Sequence, residues 1–389
     1  MTNRTMTGLS IGRRTALALV LLSATSGLAL AQQASLKFGL AMPLTGGQAL
    51  YGNDQVKAAQ WAVDEINKAG GINGKKFEMV VLDTQADPQV GIQAVNRMIS
   101  VDKTPVFITA WSGVVKAVAP IANDNKIVEL SVGANAPDIA KLGDYVYTTF
   151  PLADVDIRAV AAYSAKEMGK KKAAVLFINN ETGIGSAEVY RDTFTKSGGQ
   201  VVAYEAYDQK ATDFTGPLLK IRASNPEIIH LQGLVSESPQ VIAQARQLGI
   251  TVPITSYSGI YNPKLIEQLG AAAEGVIATS LAPGVEDSPA VKTYVERWVK
   301  EVGRPPNGLP YTQYLYDSPY LVAAVFASLD KKGTPITGEN FRKEMLTIKT
   351  FDLPLTGKVT FADDHTVNKP VYLVEVKGGK WTGKAVVNK

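Results

Sequence analysis

The stretch SLKFGLAMPLTGGQALYGNDQVKAAQWAVDEINKAGGINGKKFEMVVLD, residues 35 to 83, holds two β-rich runs separated by a glycine-punctuated loop and a helical segment. SLKFGLAMP reads as a strand. Asn53 or Asp54 reads as the cap of a helix running to Ala69, with Val56, Ala59, Val63 and Ile66 on one face at spacings of three and four. Gly70-Gly71 stops that helix, and KFEMVVLD is the next strand. Strand, helix and strand in this order form the unit from which parallel sheets are built.

The same alternation continues outward. A helix is expected from Pro88 to Ser100, and PVFITA, KIVELSV and YVYTTF are further strands. A second series begins near Asp154 with a helix to Met168, followed by strands KAAVLFIN, VVAYEAY, EIIHLQG and VPITSYS with helices between them. So many strands are better divided between two doubly wound lobes than placed in one sheet. A ligand then belongs outside the carboxyl ends of the strands, where helix N-termini point inward. The polar loops LTGGQALYGN, WSG, SVGANA, NNETGIGS, QGLVSES and SYSGIYN each follow a strand and would converge there.

Those loops are poor material for catalysis. Gly46, Gly47 and Gly52 are wrongly spaced for a dinucleotide turn, and the Asn53-Asp54 that follows them replaces the Gly-Lys-Ser/Thr of a phosphate loop. With two histidines and no cysteine, the 389-residue chain has no His-x-x-x-His or Cys pair for a metal, and it lacks the G-x-S-x-G elbow of a serine nucleophile. His230 reads as a core or crevice residue in mid-strand. Asp363-Asp364 and Asp64-Glu65 read as solvated charges. The expectation is a protein that is not an enzyme and takes no cofactor or metal.

The first 31 residues read as an export signal: basic through Arg13-Arg14, apolar through TALALVLLSATSGLAL, and ending in Ala29-Leu30-Ala31. The apolar run is shorter than the roughly 20 residues that span a bilayer. Arg4, Arg13 and Arg14 are unbalanced there, so the remainder carries 37 basic against 36 acidic residues, which gives no electrostatic reason to bind nucleic acid. Export without disulfides points to the periplasm.

The run FGLAMPLTGGQALYGNDQVKAAQWAVDEINKAGGINGKKFEMVVLDTQADPQVGIQAVNRMIS, and within it GINGKKFEMVVLDTQADP, resembles the start of branched-chain amino-acid-type periplasmic binding proteins, the solute receptors of ATP-driven importers. The resemblance extends from about Leu36 past Ala324. It implies a type I periplasmic binding protein fold: two lobes, three hinge crossings and a cleft between them. The lobe boundaries are expected at 32–153 with 283–355, and 154–282 with 356–389. It also implies a monomer that carries a small carboxylate to the permease subunits of the inner membrane, and only indirectly to their ATPases. A receptor that signals to a membrane kinase is the alternative on the same fold.

The resemblance places Tyr51 on the cleft wall, with the glycines of its loop allowing close backbone approach. It gives the carboxylate grip to Ser112 in AWSG and to Gly133, Ala134 and Asn135 in SVGANA, with Trp111 beside them as pocket wall or core. Hydroxyls and helix-start N–H groups suit an anion without a buried cation. On the second lobe the chain departs from the amino-acid-binding pattern. Thr182 and Leu234 stand where the family has aromatics, and Ser258 stands where it has the acid that pairs with an α-ammonium. Asp154, Glu181 or Glu237 would have to replace that acid. The departures favour a carboxylate with an apolar or aromatic body at least as much as an amino acid. Tyr257, Tyr261, Tyr311, Tyr314 and Tyr316 could sandwich a ring, although Tyr311 and Tyr314 lie three apart on a helix, so packing explains at least one.

Overall fold

The computed structural model describes residues 1–2 and 35–387 apart from 235 and 368; the export signal expected at 1–31 lies almost wholly outside them. The first sheet has the order β2-β1-β3-β4-β5, all parallel: β1 Leu36–Met42, β2 Phe77–Asp83, β3 Val106–Thr109, β4 Val128–Ser131 and β5 Val146–Thr148. Along β1, Phe38, Leu40 and Met42 enter one core and Ala41 another, because helices cover both faces. The helices of this half are α1 Ala49–Lys68, α2 Pro88–Ser100 and α3 Ser112–Asn125.

The second sheet runs β14-β13-β10-β9-β8-β6-β7. Its parallel part comprises β6 Lys172–Ile178, β7 Gln200–Tyr207, β8 Ile228–Gln232, β9 Ile254–Ser256 and β10 Val276–Ser280. Helix α4 Ala153–Lys166 leads into β6, and between the strands lie α5 Glu181–Lys196, α6 Thr215–Ala223, α7 Ser238–Gln247 and α8 Pro263–Leu269. The chain then returns to the first half through α9 Pro289–Val302, α10 Leu309–Lys331, α11 Gly338–Ile348 and a hairpin of β11 Thr350–Leu353 with β12 Gly357–Thr360. It ends on the second sheet with β13 Val371–Lys377 and β14 Lys380–Val387, both antiparallel. The hairpin spans the expected 355/356 boundary, and its Phe351, Leu353 and Val359, with Phe361 just beyond, pack in the core of the first half.

Strand order reverses between β1 and β3 in one sheet and between β6 and β8 in the other. These are the two topological switch points, and ligand crevices of open α/β sheets form at such points.

Two local expectations are corrected. Helix α1 begins a turn before the expected cap, with Gln48 at its N-cap position. Asp54 is buried and takes two hydrogen bonds from Arg304 (2.7 and 2.8 Å) and two from Asn307 (both 2.8 Å), while Asn53 donates to the Leu44 carbonyl. A long-range pair therefore claims Asp54, and the preceding loop claims Asn53. The glycines of the preceding loop also do not line the cleft. Gly46 takes a left-handed φ of 80°, Gly47 has open space around it, and Gly52 seats the helix on Pro43, whose carbonyl oxygen would lie 1.8 Å from an added Cβ.

Candidate functional site

A cleft of about 430 Å³ opens between the carboxyl ends of the two sheets, a size suited to a small organic molecule. From the first half it is lined by Gln48, Tyr51 and Gln55 of the α1 region, one stripe at helical spacing. Ala86 follows β2; Ala110, Trp111, Ser112 and Gly113 follow β3; Val132, Gly133 and Asn135 follow β4; Tyr311 comes from α10. The second half contributes Asn180, Thr182, Gln209, Leu234, Tyr257 and Gly259. No charged side chain lines the cleft among the described residues.

Asp83, at the end of β2, shapes the first loop. It accepts from the Leu44 and Gln85 amides at 2.8 and 2.9 Å and from the Thr45 hydroxyl at 2.6 Å. Burial acts to raise its pKa, but these hydrogen bonds outweigh it and hold the carboxyl below its ordinary value. Trp111 caps α3 with φ at +64°, a costly conformation for a bulky residue, and it begins the helix directly at the cleft wall. The first turn of α3 presents its N-terminal amides there, beside Ser112. The Ser112 oxygen accepts from Ala136 N–H at 3.2 Å, and its own proton can be donated to an anion. Asn135 is 7% exposed and opens onto the same space. Gly133, at φ 84°, has the Tyr311 ring where a side chain would stand: an added Cβ would lie 2.8 Å from it. Tyr311 in turn stacks on Phe150 at 4.9 Å.

Of the residues singled out from sequence, Tyr51, Trp111, Ser112, Gly133, Asn135, Thr182 and Leu234 meet at this cleft, and three others lie off it. Ala134 is buried in an apolar cluster with Val115, Ala119 and Ile139. Asp154 pairs with Arg158 one turn along α4, at 3.5 Å. Ser258 is fully buried, and its backbone amide donates to Asp156 at 3.2 Å. Of the tyrosines, Tyr257 and Tyr311 line the cleft. Tyr314 is core, Tyr261 packs edge-on against Trp381, and Tyr316 donates to Glu65.

Sequence reasoning missed Gln48, Gln55, Gln209 and the buried Asp156. The three glutamines left no motif, although the i, i+3, i+7 spacing of Gln48, Tyr51 and Gln55 was there to be read. Asp156 is fully buried and also accepts from Thr279 Oγ1 at 2.9 Å. Glu237 sits behind Leu234, accepting from the Leu234 amide at 2.7 Å, the Tyr207 hydroxyl at 3.1 Å and the Ser236 hydroxyl. Burial pushes the Tyr257 phenol well above its ordinary pKa, and Tyr311, Glu237, Tyr207 and Asp156 add to the shift. Two buried acids, Asp156 and Glu237, thus stand behind the second-half wall, while the first-half wall presents donors.

The sequence profile of the periplasmic binding protein family matches residues 35–380. A leucine-, isoleucine-, valine-, threonine- and alanine-binding protein of Pseudomonas aeruginosa is 26% identical over 328 residues, 84% of this chain and 86% of its own length. The branched-chain amino acid transporter substrate-binding protein LivJ of Streptococcus pneumoniae, solved with isoleucine, superposes with a TM-score of 0.81 at 26% identity, covering 91% of this chain and 99% of that one. A solute-binding protein from R. palustris in complex with benzoate shares the fold, with a TM-score of 0.79 at 20% identity and coverage of 91% and 96%. Such proteins bind solutes without transforming them. With its two-lobed α/β architecture, its cleft at both switch points and a family match over most of its length, this chain belongs to the periplasmic binding proteins.

Proposed function

We propose that the protein captures a small carboxylate in this cleft and delivers it to the permease of an ABC importer, after export and removal of residues 1–31. The lobes would be 32–153 with 283–361, and 154–282 with 371–387, the third crossing falling after the core-packed Phe361. The observation that carries the ligand class is the donor set at the α3 start: helix amides and the Ser112 hydroxyl, with the Asn135 amide nearby and no cation. Neutral donors of this kind hold an anion while avoiding the several kcal/mol that desolvating a fixed charge costs. Trp111, Tyr257, Tyr311 and Leu234 supply the apolar walls for the body of the ligand.

An aromatic or aliphatic acid is the first reading, because Glu237 is already engaged by protein donors and Asp156 by the Ser258 amide and the Thr279 hydroxyl among others. An apolar amino acid is the second, favoured by the same two acids standing behind the wall and by what the relatives bind. A thermal-shift screen of leucine, isoleucine and valine against benzoate-type and aliphatic acids separates the two. A ligand present at 100 times its dissociation constant stabilises by about 2.7 kcal/mol. Ser112→Ala should weaken a carboxylate binder by roughly 1–3 kcal/mol in calorimetry. If affinity is unchanged, Ser112 leaves the site. If every carboxylate is inert, the ligand class is wrong.

A further inference from the structure

One hydrogen bond crosses the mouth of the cleft. Asn262 Nδ2 donates to the Tyr51 hydroxyl oxygen at 2.6 Å, joining residues 211 positions apart in sequence. Tyr51 stands on α1 of the first half; Asn262 stands between β9 and α8 of the second. Both ends are held. The Tyr51 ring lies against Gly308, where an added Cβ would sit 3.3 Å from it. Asn262 is 1% exposed. Its Oδ1 accepts from Lys264 N at 2.7 Å to cap α8, and its carbonyl accepts from Trp381 Nε1 at 3.0 Å, tying it to β14. The amide has no other orientation that keeps the cap, so its N–H points at Tyr51 alone.

Building on the receptor reading, we propose that Asn262 is a positioning residue that latches Tyr51 across the cleft mouth and biases the lobes toward closure even without ligand. Opening the cleft must break this bond and exchange a hydrogen bond made out of water for one to solvent. The latch thus sets part of the open–closed equilibrium that a ligand then shifts, and apparent affinity scales with the closed-competent fraction. Tyr51, which walls the ligand space, is steadied by Gly308 of its own lobe and gains its partner on the other lobe only when the lobes meet.

The chain has no cysteine, so nitroxide labels on Val101→Cys and Leu219→Cys, exposed positions on the two halves, report the interlobe distance without background. Pulsed electron spin resonance on the ligand-free protein should show a short and a long distance. Tyr51→Phe removes the acceptor. Asn262→Ser keeps a helix-capping oxygen but cannot reach Tyr51. Each should lower the short-to-long ratio about three- to tenfold, the worth of one hydrogen bond, and the double variant should lower it no further. Asn262→Asp, whose carboxylate can accept from the Tyr51 O–H, should keep most of the short population in the Tyr51 background and lose it in Tyr51→Phe. A single long distance in the parent, an unchanged ratio in both single variants, or additive losses would overturn the latch. No carboxylate enters this measurement, so failure of the ligand screen leaves it standing, and its own failure leaves the screen untouched.

Discussion

Two buried ionisable side chains, one in each half, make opposite predictions for stability against pH. Glu129 lies in β4 between Phe107 and Val146 in register, fully buried, and neither carboxylate oxygen has a hydrogen-bond partner. Burial raises its pKa well above the ordinary value, so the folded chain holds a proton that the unfolded chain releases. Stability is then full below the ordinary carboxyl range and falls as pH rises through it. Urea unfolding should show Glu129→Gln losing that decline; a slope equal to the parent's would refute the assignment. His230 behaves in the reverse sense. Burial lowers its pKa to about 3, against a smaller opposing hydrogen bond from Gln232, and its ring stacks on Tyr190 at 4.0 Å. Here the unfolded chain takes up the proton, so stability is full above about 6.5 and is lost as pH falls toward 3, by roughly 1.4 kcal/mol per unit. His230→Phe, which keeps a ring against Tyr190, should flatten the acid limb. An acid midpoint that does not move would count against it. The mid-strand position of His230 announced a core residue, whereas nothing in VELS marks Glu129: a hydrophobic pattern shows that a strand is buried without showing which polar side chain it buries.

At the scale of elements, α1 and α10 pack on each other and both reach the cleft, and each has a residue on which its placement depends. Gly52 lets α1 rest on the Pro43 carbonyl. Gly52→Ala should destabilise by about 3 kcal/mol or more in denaturant unfolding, because backbone has to move. Gly47→Ala, with nothing within 4 Å, should cost little; equal effects would refute the packing argument. In α10, Asp317 accepts from the Leu355 and Thr356 amides and the Thr356 hydroxyl, fastening the hairpin β11–β12. Burial raises its pKa to about 6, with those hydrogen bonds and Lys369 opposing, and burial lowers Lys369 to about 8. Asp317→Ala should cost about 3–5 kcal/mol, seen as a lowered melting temperature. The parallel strands and their helices were legible because a period of two gives way to a period near 3.6 all along residues 36–256. The start of α1 was misread because Asp54 looks like a cap locally, while its partners Arg304 and Asn307 lie 250 residues away. The antiparallel β13 and β14 and the hairpin were not foreseen, since they break the alternation that carried the rest.

Across the whole molecule, the three crossings between the sheets gather around the first turns of α10. Phe150 of the first stacks on Tyr311 and meets Tyr314 at 5.0 Å. The second is held by the Tyr314 hydroxyl on the Leu281 carbonyl and by Gln313 Nε2 on the Pro283 carbonyl. In the third, Lys369 donates to the Thr356 carbonyl and lies over the Tyr314 ring. Tyr311 stands in the cleft, so the helix that holds the hinges also touches the ligand space. The first-half wall was readable from AWSG and SVGANA, because short polar loops after strands in this architecture have one place to go. The second-half wall was legible in part: Thr182, Leu234 and Tyr257 line it as expected, whereas the acids Asp156 and Glu237 stand behind it and act on the cleft only through the residues they orient. On the function proposed above, these crossings form a hinge whose closure a ligand drives through contacts that exist only between the lobes. Small-angle X-ray scattering of the protein, alone and with the strongest carboxylate from the thermal screen, tests that most directly. The radius of gyration should fall on saturation as open molecules join the closed population; profiles that superpose at saturation would contradict the account.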